Sequence, residues 1–338
     1  MNQTILVTGG AGFIGANFVE RFARRHPEIR LVDLDLMTYA GHPQAFEAQR
    51  RMPNVVPVRG DIGDAGLVER LFDECRIDGV VHFAAESHVD NSIADPMAFV
   101  RTNVLGTGVL LEAARRAWSR RGILASARFH HISTDEVYGS LGETGVFTES
   151  TPYAPRSPYS ASKASSDMLV RAYAHTYGMN VTISNCSNNY GPWQHAEKLI
   201  PTVIRKALAK EPIPVYGTGR NVRDWLWVGD HCRAVEMIYF QGRAGESYNV
   251  GGRNERANLE IVREICAILD ERSPWTGHRH EELVAFVQDR PGHDFRYAID
   301  PAKIERELGW RPEVTFADGI RRTVEWYLEE GRALLGLA

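Results

Sequence analysis

The sequence predicts an α/β fold: a doubly wound parallel sheet with a smaller, interleaved C-terminal domain. Three observations predict it. Short apolar runs alternate with helix-period segments through the first half of the chain. A glycine run, "TGGAGFIG", sits directly between the first such strand and the first such helix. After Cys186 the alternation loosens into Asn-, Gly- and Pro-rich sequence before further strands and helices return.

The elements follow in order. "TILVTGG" reads as a strand, and "FIGANFVERFARRH" as a helix that Pro27 stops. "IRLVDLDL" is the next strand, "GLVERLFDEC" a helix, and "GVVHFAA" a strand. "PMAFVRTNVLGTGVLLEAARRAW" reads as one long helix, "ARFHHIST" as a strand, "SPYSASKASSDMLVRAYAHTYG" as a helix and "NVTISNC" as a strand. Strand–helix repetition of this kind implies right-handed crossovers and helices on both sheet faces. Beyond it come a helix near 196–210, strands in "RDWLWVGD" and "SYNVGG" around the helix "DHCRAVEMIYF", and helices near 258–271 and 316–331. The expected division is a Rossmann-type unit over 1–187, rejoined by 223–248, and a substrate-binding unit from 188–222 and 249–338.

Composition narrows the function classes. With 338 residues and 43% hydrophobic content the chain can bury a large core. The net charge of −4 supplies no footprint for nucleic acid, and no apolar run reaches the ~18 residues of a membrane span. The four cysteines have neither CxxC nor zinc-ligand spacing, and no HExxH occurs, so no metal is expected. The N-terminus resembles no signal peptide. Reduced thiols and a cytoplasmic location follow as expectations.

The glycine run is a dinucleotide loop in its proper context. Gly9, Gly12 and Gly15 allow a tight turn and close approach of a pyrophosphate to the N-terminus of a helix. Asp35 lies 20 residues after Gly15 at the end of the second strand, where a carboxylate accepts hydrogen bonds from the adenosine ribose. The same charge repels a 2′-phosphate, and Leu36 brings no cation, which favours NAD over NADP. Asp33 competes for the ribose role, and strand alternation does not choose between them. "GDI" and "FAAES" close later strands, at the sheet edge where such folds bind ligands.

Two constellations carry chemistry. "YSASK" puts Tyr159 and Lys163 on one helix face, where an ammonium is expected to lower the tyrosine pKa and make a base for a sugar hydroxyl. "HHISTDEVYG" ends a strand on the adjacent acids Asp135 and Glu136. Such a pair after a threonine also suits a solvated, capped helix start. Consecutive strand residues point oppositely, so both acids face one ligand only if the strand ends at them.

With these motifs the chain resembles the dTDP-glucose 4,6-dehydratases of the extended short-chain dehydrogenase/reductase superfamily. The likeness runs nearly end to end, through "TGGAGFIG", "MTYAG", "HFAAESHVD", "TNVLGT", "STDEVYG", "YSASKAS", "NCSNNYGP", "EKLIP", "NVRDWL", "YNVGG" and "DRPGHDFRYAID". The resemblance implies NAD-dependent dehydration of a nucleoside diphosphate glucose. Tyr159 takes the O4 proton beside Thr134, Glu136 takes the C5 proton, and Asp135 protonates the departing C6 hydroxyl. It implies that Phe13, Ile14, Leu36, Thr38, Asp61, Ile62, Phe83, Ala84, Ala85, Ser87, Thr102, Lys163 and Asn189 line the NAD site. By the same resemblance, Ser87, Thr134, Asn188, Glu197, Lys198, Pro214, Tyr216, Arg223, Asn249, Arg290 and His293 would face the sugar nucleotide. It also implies a homodimer paired through helices near 96–118 and 158–177. Two departures stand out: Asn91, where most members carry arginine, and the segment "PWQHA". UDP-hexose dehydration, 4-epimerisation or decarboxylation on the same scaffold are the alternatives, with a non-catalytic NAD-binding protein behind them.

Overall fold

The computed structural model describes residues 3–289 and 294–337. The chain runs β1 (Thr4–Thr8), α1 (Phe13–Arg25), β2 (Arg30–Asp35), α2 (Pro43–Gln49), β3 (Val55–Arg59), α3 (Ala65–Glu74) and β4 (Gly79–His82). Then come α4 (Val89–Ala94), α5 (Pro96–Phe99), a π-helical turn over Val100–Gly106, α6 (Thr107–Arg120), β5 (Arg128–Thr134) and α7 (Pro158–Tyr177). β6 (Val181–Cys186) and β7 (Asn188–Tyr190) precede α8 (Leu199–Leu208), β8 (Ile213–Tyr216) and β9 (Val222–Trp227). The remainder is α9 (Val228–Gln241), β10 (Ser247–Val250), β11 (Glu255–Ala257), α10 (Asn258–Arg272), β12 (Val284–Val287), α11 (Ala302–Leu308) and α12 (Phe316–Leu328).

Seven strands form one parallel sheet in the order β10-β6-β5-β4-β1-β2-β3. The order reverses between β1 and β4, which opens a crevice at their carboxyl ends. Both faces are buried, so the strands read as near-continuous apolar runs. On one face Leu6, Val32, Phe72, Trp118, Phe129 and Val181 pack under α3, α6 and α7. On the other, Val7, Phe18, Phe22, Val81 and Tyr239 pack under α1 and α9. Tyr190, Ile204, Trp225, Ile265 and Tyr327 build a separate core between β7, α8, β9, α10 and α12.

One expectation is corrected. The long helix over 96–118 is broken by the π turn at Val100–Gly106. Buried Asn103 explains the break: its side chain accepts from Glu86 N (2.9 Å) and donates to Glu86 O (3.0 Å) and Ser162 Oγ (2.8 Å). Three bonds to other elements outweigh a regular helical register there. β9 pairs with β7 and β11 in the smaller sheet, while α9 packs on the large sheet and β10 pairs with β6.

Candidate active site

A single cavity runs along the carboxyl edge of the sheet, from the glycine loop to the end of β5. At its cofactor end, Gly12 precedes α1 with no side-chain cap and no acid in the helix's first turn. The first N–H groups of α1 therefore keep their capacity for an anion. A Cβ on Gly15 would come within 2.1 Å of Gly9 O, so the loop can close this tightly only on glycine. Asp35 lines the cavity, accepting from Ala11 N (2.9 Å) and Met37 N (2.8 Å). Each carboxylate oxygen retains a second lone pair for a ribose hydroxyl. Asp33 is fully buried beneath the loop, bound to Gly10 N, and does not line the cavity, so of the two aspartates Asp35 is the one open to a ligand there. A free helix N-terminus, a glycine cradle and a ribose acid together fit a dinucleotide.

The reactive end is built where β5 stops. Thr134 is the last strand residue, and its Oγ1 accepts from Glu136 N (3.3 Å) as the chain turns into a 3-10 helix over Asp135–Tyr138. The turn breaks the strand alternation, so both acids line the cavity. Gly139 ends it at φ +96, where a Cβ would meet Ala154 O at 2.7 Å.

The acids are not equivalent. Asp135 is 2% exposed, and burial holds its carboxyl well above the usual range; the charges of Glu136 and Asp224 add to this, while Arg223 and Thr134 oppose it. Its Oδ2 is buried with no hydrogen-bond partner among the described residues, an expensive position for an anion and a suitable one for an O–H. Burial thus disfavours the Asp135 carboxylate and suits that side chain to holding a proton.

Tyr159 and Lys163 rise from α7 on the opposite wall. The expected lowering of the tyrosine pKa is absent in this state. Burial raises it, with Glu136, Cys186 and Asp135 adding, and only the Thr134 hydrogen bond opposing. Lys163 turns its ammonium to Ile132 O at 2.7 Å, and burial pushes its pKa down to about 8.

All the residues assigned to catalysis and to NAD line this cavity, including Phe13, Ile14, Leu36, Thr38, Asp61, Ile62, Phe83, Ala84, Ala85, Thr102 and Asn189. So do Ser87, Asn188, Glu197 and Lys198 from the substrate set. Pro214, Tyr216, Arg223 and Asn249 do not. Pro214 and Tyr216 lie on β8, in a separate two-stranded sheet with β12. Arg223 is 5% exposed, donates to Val222 O and Asp294 O, and stacks over Tyr297 at 4.4 Å. Asn249 is wholly buried, its amide joined to Tyr138 Oη and Phe147 O. Arg290 and His293 lie outside the described residues. Glu86, Gln194 and His195 also line the cavity and were not anticipated. Glu86 adjoins residues of "FAAES" that were, and His195 falls in the departing "PWQHA" segment.

A doubly wound sheet with a glycine loop, a ribose acid and a Tyr–Lys helix at its carboxyl edge defines an NAD-dependent short-chain dehydrogenase/reductase. The chain matches the family described as GDP-mannose 4,6 dehydratase over residues 6–323. It is 58% identical to a dTDP-glucose 4,6-dehydratase of Xanthomonas campestris pv. campestris, covering 96% of this chain and 93% of the relative. It is 52% identical to one of Neisseria meningitidis, covering 97% and 94%. The solved dTDP-glucose 4,6-dehydratase DesIV of Streptomyces venezuelae, with NAD and TYD bound, superposes with TM-score 0.88 at 47% identity, covering 98% of both chains. The UDP-glucose 4-epimerase of Thermotoga maritima shares the fold at TM-score 0.85 and 26% identity, covering 97% and 99%. The chain belongs to the dTDP-glucose 4,6-dehydratase family, whose members are hydro-lyases.

Proposed function

We propose that this chain converts dTDP-glucose to the 4-keto-6-deoxy sugar nucleotide and water, with the cavity residues in the following roles. Tyr159, hydrogen-bonded at Thr134, takes the proton from the sugar O4. The glycine loop, Asp35 and Asn189 would hold NAD, which would supply the hydride-accepting and hydride-returning chemistry between C4 and C6. With C4 a ketone, the C5 proton is acidic, and the Glu136 carboxylate removes it. Asp135 gives its proton to the C6 hydroxyl, the C6–O bond breaks, and water leaves. Glu136 then returns a proton to C5. Glu197, Lys198, Asn188 and Ser87 hold the sugar nucleotide in the same cavity.

The observation that carries this reading is the placement of the buried Asp135 carboxyl and of Glu136 in one cavity with Tyr159. A 4-epimerase also oxidises C4 but needs no acid and base at C6 and C5. The test is incubation with dTDP-glucose and NAD, followed by mass and NMR analysis of the product. Loss of one water with a methyl group at C6 is expected; retained mass with inverted C4 sinks the reading.

The cofactor unit comprises residues 1–187 with the returning α9 and β10, and the rest forms the substrate unit. The chain pairs as a homodimer through α5, α6 and α7. In support, Met97, Leu105 and Met168 are exposed on these elements or the π turn joining them, and apolar surface of this kind favours burial. A cytoplasmic location is supported by four free thiols at Cys75, Cys186, Cys232 and Cys266.

A further inference from the structure

Beneath the reactive wall lies a buried polar cluster that the scheme above does not use. Its centre is Asp167, on α7 one turn beyond Lys163 and fully buried. Asp167 Oδ2 accepts from Ser133 Oγ at 2.7 Å and from Tyr153 Oη at 2.8 Å. Its Oδ1 lies 3.2 Å from His131 Nε2. His131 and Ser133 belong to β5, the strand that ends on Thr134 and the acid pair. Asn185 of β6 donates to Thr134 O (3.1 Å) and lies 3.4 Å from Tyr153 Oη, which extends the cluster to the next strand. Tyr153 in turn accepts from Arg171 at 3.0 Å. A wholly buried carboxylate is costly unless it is bonded and offset by charge. Here it joins the helix carrying Tyr159 and Lys163 to the strand carrying Thr134.

We propose that Asp167 is a positioning residue: it registers the Tyr159–Lys163 helix against the acid-bearing end of β5, and it sets a buried carboxylate one helical turn from the Lys163 ammonium. This rests on the reading of Tyr159 given above, with Lys163 as the cation that lines the same cavity one turn further along α7. The surrounding groups leave Asp167 in this role. It faces His131 from β5, Tyr138 from the 3-10 turn, Tyr153 from the segment before α7, and Lys163 and Arg171 along α7. Burial, followed by Lys163, pushes His131 down to about 4, so it is neutral. Lys163 faces Asp167, Cys186 at the end of β6, His131 and, from β4, His82. His82 is held neutral by burial, and burial raises the Cys186 thiol to about 12, so Asp167 is the formal anion of this set. Burial lowers Lys163 and Asp167 is the largest opposing influence.

The sign follows. Neutralising Asp167 lowers the Lys163 pKa further from about 8, so the ammonium is lost at a lower pH. Loss of a neighbouring opposite charge is worth about one to three units. The test is the pH profile of kcat for dTDP-glucose in the NAD-loaded enzyme, comparing the parent with D167N, D167E and Y153F. In D167N the alkaline limb is expected to move down by about one unit or more, so that kcat relative to the parent falls roughly tenfold between neutral and alkaline pH. D167E restores the limb. Y153F removes one hydrogen bond but keeps the charge, and its limb stays at or above that of the parent. A uniform loss of kcat at every pH in D167N would overturn the proposal, as would a downward shift in Y153F. Y159F separates the two readings. If Y159F still dehydrates at the parent rate, the scheme itself fails. If Y159F is inactive while D167N keeps the parent's alkaline limb, only the role of Asp167 fails.

Discussion

At the scale of single residues, the proposed scheme turns on the two adjacent acids. Burial holds the Asp135 carboxyl well above its usual range, and Glu136 borders the same cavity. E136Q removes the C5 base but leaves O4 and C4 chemistry intact. Dehydration is therefore expected to fall about 10²–10⁴-fold, the usual worth of a positioned general base. C5 should stop exchanging with deuterated solvent, while 4-oxidised sugar stays bound; undiminished exchange rules out this role. A second prediction concerns His231, which is buried on α9 with Nδ1 2.9 Å from Asn189 Oδ1. Burial lowers its pKa from 6.5 to about 3. The unfolded chain binds a proton at His231 between those values and the folded chain does not, so this contribution to stability is present above 6.5 and lost as pH falls. In H231Q the slope of unfolding free energy against pH, measured between these pKa values, should be shallower by about 1.4 kcal/mol per pH unit. An unchanged slope refutes it. Residue-level legibility was uneven. The glycine loop, Asp35, the acid pair and the Tyr–Lys pair have local spacing rules, and all reach the cavity. Asn249 had only a motif behind it, and its position in mid-strand between Tyr138 and Phe147 is a long-range fact. Likewise the tyrosine pKa depends on burial and on carboxylates distant in sequence from YxxxK.

At the scale of elements, the parallel strands and their crossover helices were legible because buried strands are apolar runs and the helices carry apolar stripes. The π turn was not, because "VRTNVLG" keeps helical periodicity through the distortion. What distorts it is the Asn103 side chain bonding to the segment after β4 and to α7. Thr107 continues the contact, its Oγ1 lying 2.9 Å from His82 Nε2 on β4. N103A leaves the Glu86 backbone N–H and C=O without these partners, at a cost of about 1–3 kcal/mol. Chemical denaturation should show that loss, and NAD should bind more weakly because the "AAES" segment lines its cleft. Parent-like stability and affinity count against the account. β7 and β11 were unread for another reason: each has only three residues, too few for a period to show.

At the scale of the whole molecule, two cores meet along one cleft, and the apolar surface on α5, the π turn and α7 is left over. L105D places a charge on that surface, where Leu105 is 61% exposed in the single chain. If the homodimer forms there, sedimentation equilibrium should show a dimer for the parent and monomer for L105D at micromolar concentration. A monomeric parent rejects the assembly. No helix among the described residues is long and apolar enough to cross a membrane.

The seventh strand of the large sheet has a further consequence. β10 pairs with β6 through Ser247↔Ile183 to Val250↔Cys186, but the ribosome makes it only after β7, α8, β8, β9 and α9. Until Val250 has emerged, the growing chain carries β6 as an open edge, an apolar strand with a row of unpaired amide groups. Nascent chains stalled in that interval are candidates for edge-to-edge aggregation, and expression of a fragment ending before Ser247 should yield insoluble protein.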